Sequence, residues 1–493
     1  MVFNSLEFVI FLPIVFLLYW FVFNKSLRLQ NVFILFASYV FYCWWDWRPA
    51  VLLTIMIVCT YYCGLWVNKA QKSEEEQTEE MVWYKNKTYL ITLVCIAFNL
   101  AILFYFKYFN FFVENFAKAF SLLGKPLEIR TLHIILPLGI SFYTFQAISY
   151  TLDVYRKKVE ATRDFISFAA FMSFFTKITA GPIERATNFL PQFFVKRTFN
   201  YSNAVDGLRQ ILWGVFTKVV IGDGAAICVN YIYSRYELLP GSSLAIGTIF
   251  FAVQIYGDFS GYSDIAIGSS RLLGFNLTRN FAFPYFARDI IEFWRRWHIS
   301  LTTWLTDYLF TPFSIQFRNY GSFGLAYAVL ITFLISGLWH GANWTFVVWG
   351  LYQGVFIILT SIPQKRRKKI EKRYGLKNNY IYQFACIFLT FGIVCLGMIF
   401  FRADSLLQAF SYIRQMFSSS LFTFPISITY VGKYIIFLIP LMFVFEWIQR
   451  NKQHALQLDN VRSKPLRWII YFALIYLIFN FGGAQVPFIY FNF

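Results

Sequence analysis

Apolar runs with few or no charges recur along the whole chain, near residues 8–23, 31–45, 49–67, 88–106, 134–152, 207–222, 244–257, 322–340, 343–362, 380–401, 434–445 and 468–481. The longer runs match the ~20 residues that a helix needs to cross hydrocarbon. The pattern predicts an all-α polytopic integral membrane protein with about eleven to thirteen crossings. Two stretches, 164–182 and 257–275, are too short or too rich in glycine to be simple spans. Broken or re-entrant helices are expected there, buried by their neighbours, because irregular backbone cannot face lipid; such backbone at membrane depth implies a cavity. The first run, Phe8 to Phe23, has no preceding Lys or Arg and no small-residue cleavage site after it, which reads as an anchor and not a cleaved signal.

Composition removes the alternative of a soluble enzyme. Hydrophobic residues make up 58% of the 493 and charged residues only 14%, with 22% aromatic; mean hydropathy is +0.53. A water-soluble fold cannot hide that much apolar surface. The net charge of +19 would suggest nucleic acid in a soluble protein, but no basic domain or nucleic-acid-reading motif is present. The cations sit in short loops between apolar runs, as cytoplasmic loops facing anionic lipid do, and they also suit a phosphate-bearing substrate. Lys25 and Arg28, Lys69 to Lys87 and Arg156 to Arg163 fall on the other side from the sparsely charged Asp46–Arg48 turn, which places the N-terminus outside; the basic run Lys365, Arg366, Arg367, Lys368, Lys369, Lys372 and Arg373 and the loop Arg450 to Arg467 are expected in the cytoplasm, which leaves the C-terminus outside. The insert Glu74, Glu75, Glu76, Glu79 and Glu80 reads as a solvated loop.

Seven cysteines lie almost entirely inside apolar stretches, so a disulfide framework is not expected. No CxxC occurs and the four histidines show no HxxxH or HExxH spacing, so no metal site is expected either. No internal repeat is evident, which argues against a transporter built from inverted halves.

The chemistry concentrates in the middle of the chain. Residues 287–310 read ARDIIEFWRRWHISLTTWLTDYLF. Ile290, Trp294, Trp297, Leu301 and Leu305 form an apolar stripe, and Arg288, Glu292, Arg295 and Arg296 gather at helical spacing, which predicts an interfacial helix. Two readings fit: lipid headgroup binding with tryptophan anchoring, or a basic rim for a phosphate-bearing cofactor such as coenzyme A.

Further on, His340 stands between two uncharged spans, flanked by Gly337 and Gly341, which permit close backbone approach. An ionisable residue at such depth is costly unless partnered or wet. A neutral imidazole there suits either structural hydrogen bonding or general-base catalysis. The polar clusters Tyr256 to Asp264 and Ala180 to Arg185 read as turns at membrane depth. Their carboxylates are expected to pair with Arg185, Arg271 or Arg288, as structural ion pairs or as substrate contacts. His133 and His454 read as solvated or interfacial, and His298 does not.

The segments ITAGPIERATNFLPQ, QIYGDFSGYSDIAIG, NFAFPYFARDIIEFWRRWHISLTTWLTDYL and SGLWHGANWTFVVWGLYQG closely resemble the membrane-bound O-acyltransferase family. The most similar branch is the alginate O-acetyltransferase group of bacterial inner membranes, which also resembles the D-alanine transferases acting on teichoic acid. The resemblance runs from FNSLEFVIFLPIVFLLYW to FIYFNF. It implies one membrane-embedded acyltransferase domain over 1–493, with its catalytic motifs at about 134–362 and C-terminal helices and an aromatic tail at 380–493. It further implies a ring of tilted and re-entrant helices around a central tunnel, entered by an acyl thioester from the cytoplasm.

By the same resemblance, His340 matches the catalytic histidine and His298 a supporting one, with Asn343 orienting groups or stabilising the oxyanion. An acyl thioester is the implied donor, expected to be acetyl-CoA; on the basic-rim reading, argued from charge and not from the resemblance, Arg288, Arg295, Arg296 and Trp294 hold it. The uncharged tail PFIYFNF is expected to tuck back into the protein. Its reactive side chain, Tyr490, resembles an acyl carrier that passes the group to a serine of an SGNH-hydrolase-like partner and then to polysaccharide; a docking tail for that partner is the other reading. The implied activity is acetyl transfer toward an exported polysaccharide. A polysaccharide or lipid-linked sugar transporter, a D-alanyl-type transfer and an assembly partner without chemistry are the rivals.

Overall fold

The computed structural model describes residues 1–75, 87–122, 124, 131–132, 134, 136–427, 433–459, 461–482 and 486–489. Among them every regular element is helical, and each of the twelve apolar runs overlaps a helix. Among the described residues eight helices are long and apolar enough to cross a membrane, and three shorter apolar helices accompany them, at the low end of the expected number. Helices satisfy their own backbone groups, so apolar runs in lipid have no other open-chain option. Large side chains that would be misplaced in water face outward along them, such as Phe21, Phe388 and Phe479. Trp44, Trp45 and Trp47 flank the Asp46–Arg48 turn and are exposed, as in an interfacial aromatic belt.

The chain divides into two compact units, 1–207 with 269–278, and 208–268 with 279–493. The first contains α1 (Leu6–Leu17), α2 (Leu27–Cys43), α3 (Arg48–Glu75), α4 (Lys87–Leu103), α5 (Phe109–Leu122), α6 (Ile140–Tyr155), α7 (Phe165–Ser173), α8 (Phe175–Ile178) and α9 (Ala186–Phe189). Side-chain caps start several of them: Ser5, Ser26 and Asp164 each accept a first-turn N–H. The stretch 164–182 is broken as its sequence suggests, with Phe174 separating α7 from α8. Gly139 opens α6 at φ +74°, and a Cβ there would strike the carbonyl of Ile178, so only glycine lets the two segments pass. Behind the break Lys177 is buried, donates to Gln146 Oε1 and lies over the rings of Phe171 and Phe189.

One disulfide, Cys63–Cys95, joins α3 to α4, against the expectation of free thiols; the two cysteines occupy facing positions on packed helices. The remaining five cysteines are free. Glu74 accepts from the Thr88 N–H and hydroxyl, while the rest of the acidic insert and His133 lie outside the residues whose surroundings are described.

The second unit takes most of α10 (Tyr201–Val215), then α11 (Asp223–Ser234), most of α12 (Gly241–Leu272), α13 (Ile290–Arg296), α14 (Ile299–Leu305), α15 (Thr311–Gln316), α16 (Gly321–His340), α17 (Trp344–Ser361), α18 (Gln364–Arg373), α19 (Tyr380–Arg402), α20 (Leu406–Met416), α21 (Lys433–Ile448) and α22 (Lys464–Phe481). Three expectations are corrected in the chain as a whole. The stretch 257–275, including the turn expected at Tyr256–Asp264, is not broken: it runs through α12 to Leu272. Its glycines serve close packing instead, since a Cβ on Gly257 would stand 2.9 Å from the Thr217 carbonyl and one on Gly261 would stand 2.8 Å from the Lys218 nitrogen. The carboxylates choose other partners: Asp258 pairs with Lys218, Asp264 accepts from Gln210, and Glu184 accepts from Thr278, while Arg271 pairs with Asp206. His454 is buried and not interfacial, because its loop folds inward with Ala455 and Leu456.

Candidate active site

The site grows from the crossing of α16 and α17. His340 is the last residue of α16 and is 3% exposed. A Cβ on Gly337 would strike the Phe346 carbonyl, one on Gly350 the Phe333 carbonyl, and one on Gly341 the Phe346 ring. Absent side chains at these three positions bring the two backbones together and carry His340 into an aromatic enclosure. Its imidazole meets Trp339 at 4.8 Å, Trp349 at 5.0 Å and Phe401 at 5.2 Å between ring centroids, all edge-on. The same neighbourhood holds buried polar groups that bulk apolar packing would not select: Ser336, Thr345 and Gln353 are each at most 1% exposed.

His298 is placed by a different device. The expected interfacial helix is interrupted: α13 ends at Arg296, α14 begins at Ile299, and His298 sits between them at φ +42°. A non-glycine residue in that region needs its surroundings to hold it. Asn280 does so. Its backbone carbonyl accepts from Ile299 N–H, and its side-chain oxygen accepts from Ser300 Oγ and lies 3.1 Å from His298 Nδ1. The Asn280 amide in turn donates to Ser263 Oγ, so its oxygen faces His298 and Nδ1 carries the proton. That tautomer leaves the lone pair on Nε2. Burial pushes the His298 imidazole well below the ordinary histidine range, to about 3, so the ring is neutral. Trp339 links the two histidines, with its ring 6.1 Å from His298 and 4.8 Å from His340.

Residues 40–400 match the profile of the MBOAT, membrane-bound O-acyltransferase family. The chain belongs to the membrane-bound O-acyltransferase family. It is 36% identical to a "probable alginate O-acetylase" of Pseudomonas putida across 85% of this chain and 80% of that one. It is 29% identical to a peptidoglycan O-acetyltransferase of Helicobacter pylori across 100% and 98% of the two chains. A teichoic acid D-alanyltransferase of Bacillus subtilis is 26% identical across 58% of this chain and 73% of its own. The protein is therefore an O-acyltransferase with a multi-pass membrane body.

In this acyltransferase the remaining sequence-derived site residues separate. Trp294 is buried against Phe333 and Trp349 and lies in the same aromatic cluster as His340, not on a basic rim. Arg295 is exposed. Arg296 is committed to Glu292 at 2.6 Å. Asn343 caps α17, accepting from Thr345 N–H while its amide donates to the Asp404 carbonyl. Tyr490 lies outside the described residues.

Arg288 has neighbours that its own stretch of sequence does not supply. It lines a cavity of about 640 Å³ together with Arg367, Lys368, Lys372 and Lys377, beside Asp289, Glu292 and Glu371. Five cations face three carboxylates. Burial raises the Glu292 carboxyl, but the Arg288 N–H and the Arg296 and Arg288 charges outweigh it and hold the group below the ordinary glutamate range. Arg367 is tied to Asp289 and Glu371, whereas Lys368, Lys372 and Lys377 make no ion pair among the described residues. No group of three or more His, Cys, Asp or Glu side chains among the described residues could hold a metal ion.

Proposed function

We propose that this enzyme transfers an acetyl group from acetyl-CoA in the cytoplasm to hydroxyls of a polysaccharide exported across the bacterial inner membrane, with His340 as general base. One observation carries the reading: an imidazole stands at the end of a membrane helix, enclosed by aromatic rings and sharing Trp339 with a second, neutral imidazole. In the transfer, an imidazole nitrogen of His340 takes the hydroxyl proton as the new C–O bond forms and the thioester C–S bond breaks; the proton then passes to the departing thiolate. His298, its tautomer fixed by Asn280, orients the reacting groups. The names of the relatives, acyl transfer to alginate, peptidoglycan or teichoic acid, support a polymer as the acceptor class. Labelled acetyl-CoA supplied to the purified chain in liposomes is consumed with release of free coenzyme A under this reading; glycan movement without thioester consumption would mark a transporter.

The cavity holding Arg288, Arg367, Lys368, Lys372 and Lys377 is the proposed seat of the donor's phosphates, since converging cations near a cytoplasmic basic run suit a polyanion. Paired Lys368→Glu and Lys372→Glu substitutions are expected to raise KM for acetyl-CoA by about 10-fold or more, the equivalent of two weakened charge contacts, and to leave kcat nearly unchanged. A kcat loss at unchanged KM would remove the donor from this cavity.

At the other end of the chain, Tyr490 is the proposed first acceptor, passing the acetyl group to a serine of an SGNH-hydrolase-like partner. Its immediate neighbours in sequence fold back into the protein: Phe488 is 2% exposed and stacks on Tyr262 at 4.6 Å. Intact-mass analysis after incubation with acetyl-CoA is expected to give an acetyl adduct that Tyr490→Phe abolishes. No adduct in either protein would leave the tail a docking element.

A further inference from the structure

The least expected charges in the second unit lie where α10 to α12 cross. Lys218 belongs to a π-helical segment, Phe216–Gly222, and Asp223 opens α11 just beyond it. Asp258 comes from the facing helix α12. The approach depends on glycine: a Cβ on Gly222 would stand 2.9 Å from the Asp258 nitrogen, and Gly261 lies opposite Lys218. Lys218 Nζ is 2.6 Å from Asp223 Oδ1 and 2.6 Å from Asp258 Oδ1, and none of the three side chains is more than 5% exposed. An ionic triad of this kind is not needed to hold two helices together, because well-packed apolar side chains do so as well or better.

What the triad does hold is a distant part of the chain. Lys218 Nζ donates to the Val486 carbonyl at 3.1 Å, and the Ile489 N–H donates to Asp258 Oδ2 at 2.7 Å. Phe488, between these two anchor points, stacks on Tyr262 and meets Phe259 at 5.7 Å; Phe259 in turn stands edge-on to His298 at 4.6 Å. Two backbone hydrogen bonds to buried charges, one on each side of an inserted ring, define the register of residues 486–489 in a way that apolar contact alone would not.

We infer that Lys218, Asp223 and Asp258 form an interior latch that fixes the C-terminal segment 486–489 beside the His298 end of the site, and that they are positioning residues for the transfer. The positioning role rests on the reading above that the end of the chain takes part in transfer; the latch itself rests only on the contacts just described. Its chemistry is non-covalent. Lys218 orients the Val486 carbonyl, Asp258 orients the Ile489 N–H, and Asp223 keeps the ammonium group between the helices.

Hydrogen exchange of the full chain in liposomes, read by mass spectrometry on the C-terminal peptide, tests the latch. The peptide covering 486–489 is expected to exchange slowly in the parent protein, and about 10²-fold faster in Lys218→Met, while α12 stays protected. Ile489→Pro removes the tail's donor without touching the membrane helices and is expected to loosen the remaining tail amides likewise, which keeps the test open if Lys218→Met misfolds. Both variants are expected to lose kcat, by about 10²-fold for a displaced reacting group, at unchanged KM for acetyl-CoA. Unchanged exchange in both variants would overturn the latch, and a loosened tail with parental kcat would overturn the positioning role. The Tyr490→Phe adduct result bears on the relay alone, so the two readings fail separately.

Discussion

His340→Ala is expected to lower kcat for acetyl transfer by about 10²–10⁴-fold, the usual contribution of a positioned general base, while KM for acetyl-CoA moves little. The imidazole stands against aromatic walls, Trp339, Trp349 and Phe401, and the cations proposed for the donor lie in a cavity lined by other residues. Removing the ring therefore deletes the proton acceptor and leaves donor binding in place. Initial rates of coenzyme A release from parent and variant in the same liposomes, with thermal unfolding as the check on folding, measure this. Equal turnover would take His340 out of its assigned role.

Gly337→Leu is the second large effect. A side chain there collides with the Phe346 carbonyl and presses on the Gly350 backbone, so α16 and α17 cannot keep their present separation. Overpacking of this kind costs about 1–3 kcal/mol, and here the collision is with backbone, which yields less than a side chain. His340 lies three residues further along the same helix and would move with it; a shift of about 1 Å is enough to cost roughly 10²-fold in rate. Gly392→Ala serves as the control, because a Cβ on Gly392 meets nothing within 4 Å and alanine favours the helix by about 1 kcal/mol. The expected result is a lowered unfolding temperature and a collapsed kcat for Gly337→Leu, with neither in Gly392→Ala. Similar behaviour of the two variants would show that the close crossing does not set the position of His340.

The helical body was legible because lipid leaves an open chain almost no other choice: twelve apolar runs overlapped helices, and the short glycine-proline stretch at 164–182 was indeed broken. The errors share a cause. Glycine signals either a break or a close approach, and the sequence of α12 does not say which; Gly257 and Gly261 are helical because Thr217 and Lys218 from another helix fill the space beside them. The break at His298 has no glycine or proline to announce it. It is imposed from Asn280, 18 residues earlier, through hydrogen bonds that local periodicity cannot register. The carboxylate partners were missed for the same reason: the partners of Lys218 come from the next helix turn, from α12 and from residue 486, which local pattern cannot bring together. For Arg288 the sequence left headgroup binding and a basic rim both open; the lysines that share its cavity come from α18 and the segment after it, whose basic run carries no sign of that meeting.

The proposed function depends on an acetyl group passing through the His340 site from one compartment to the other. Sealed proteoliposomes of the full chain, given labelled acetyl-CoA on one face and a short polysaccharide with its hydrolase-like partner on the other, test it most directly. Labelled polysaccharide is expected only when acetyl-CoA is on the face that carries residues 365–373, and none from His340→Ala. Label reaching an acceptor on the donor's own side, or passing equally well through the variant, would contradict it.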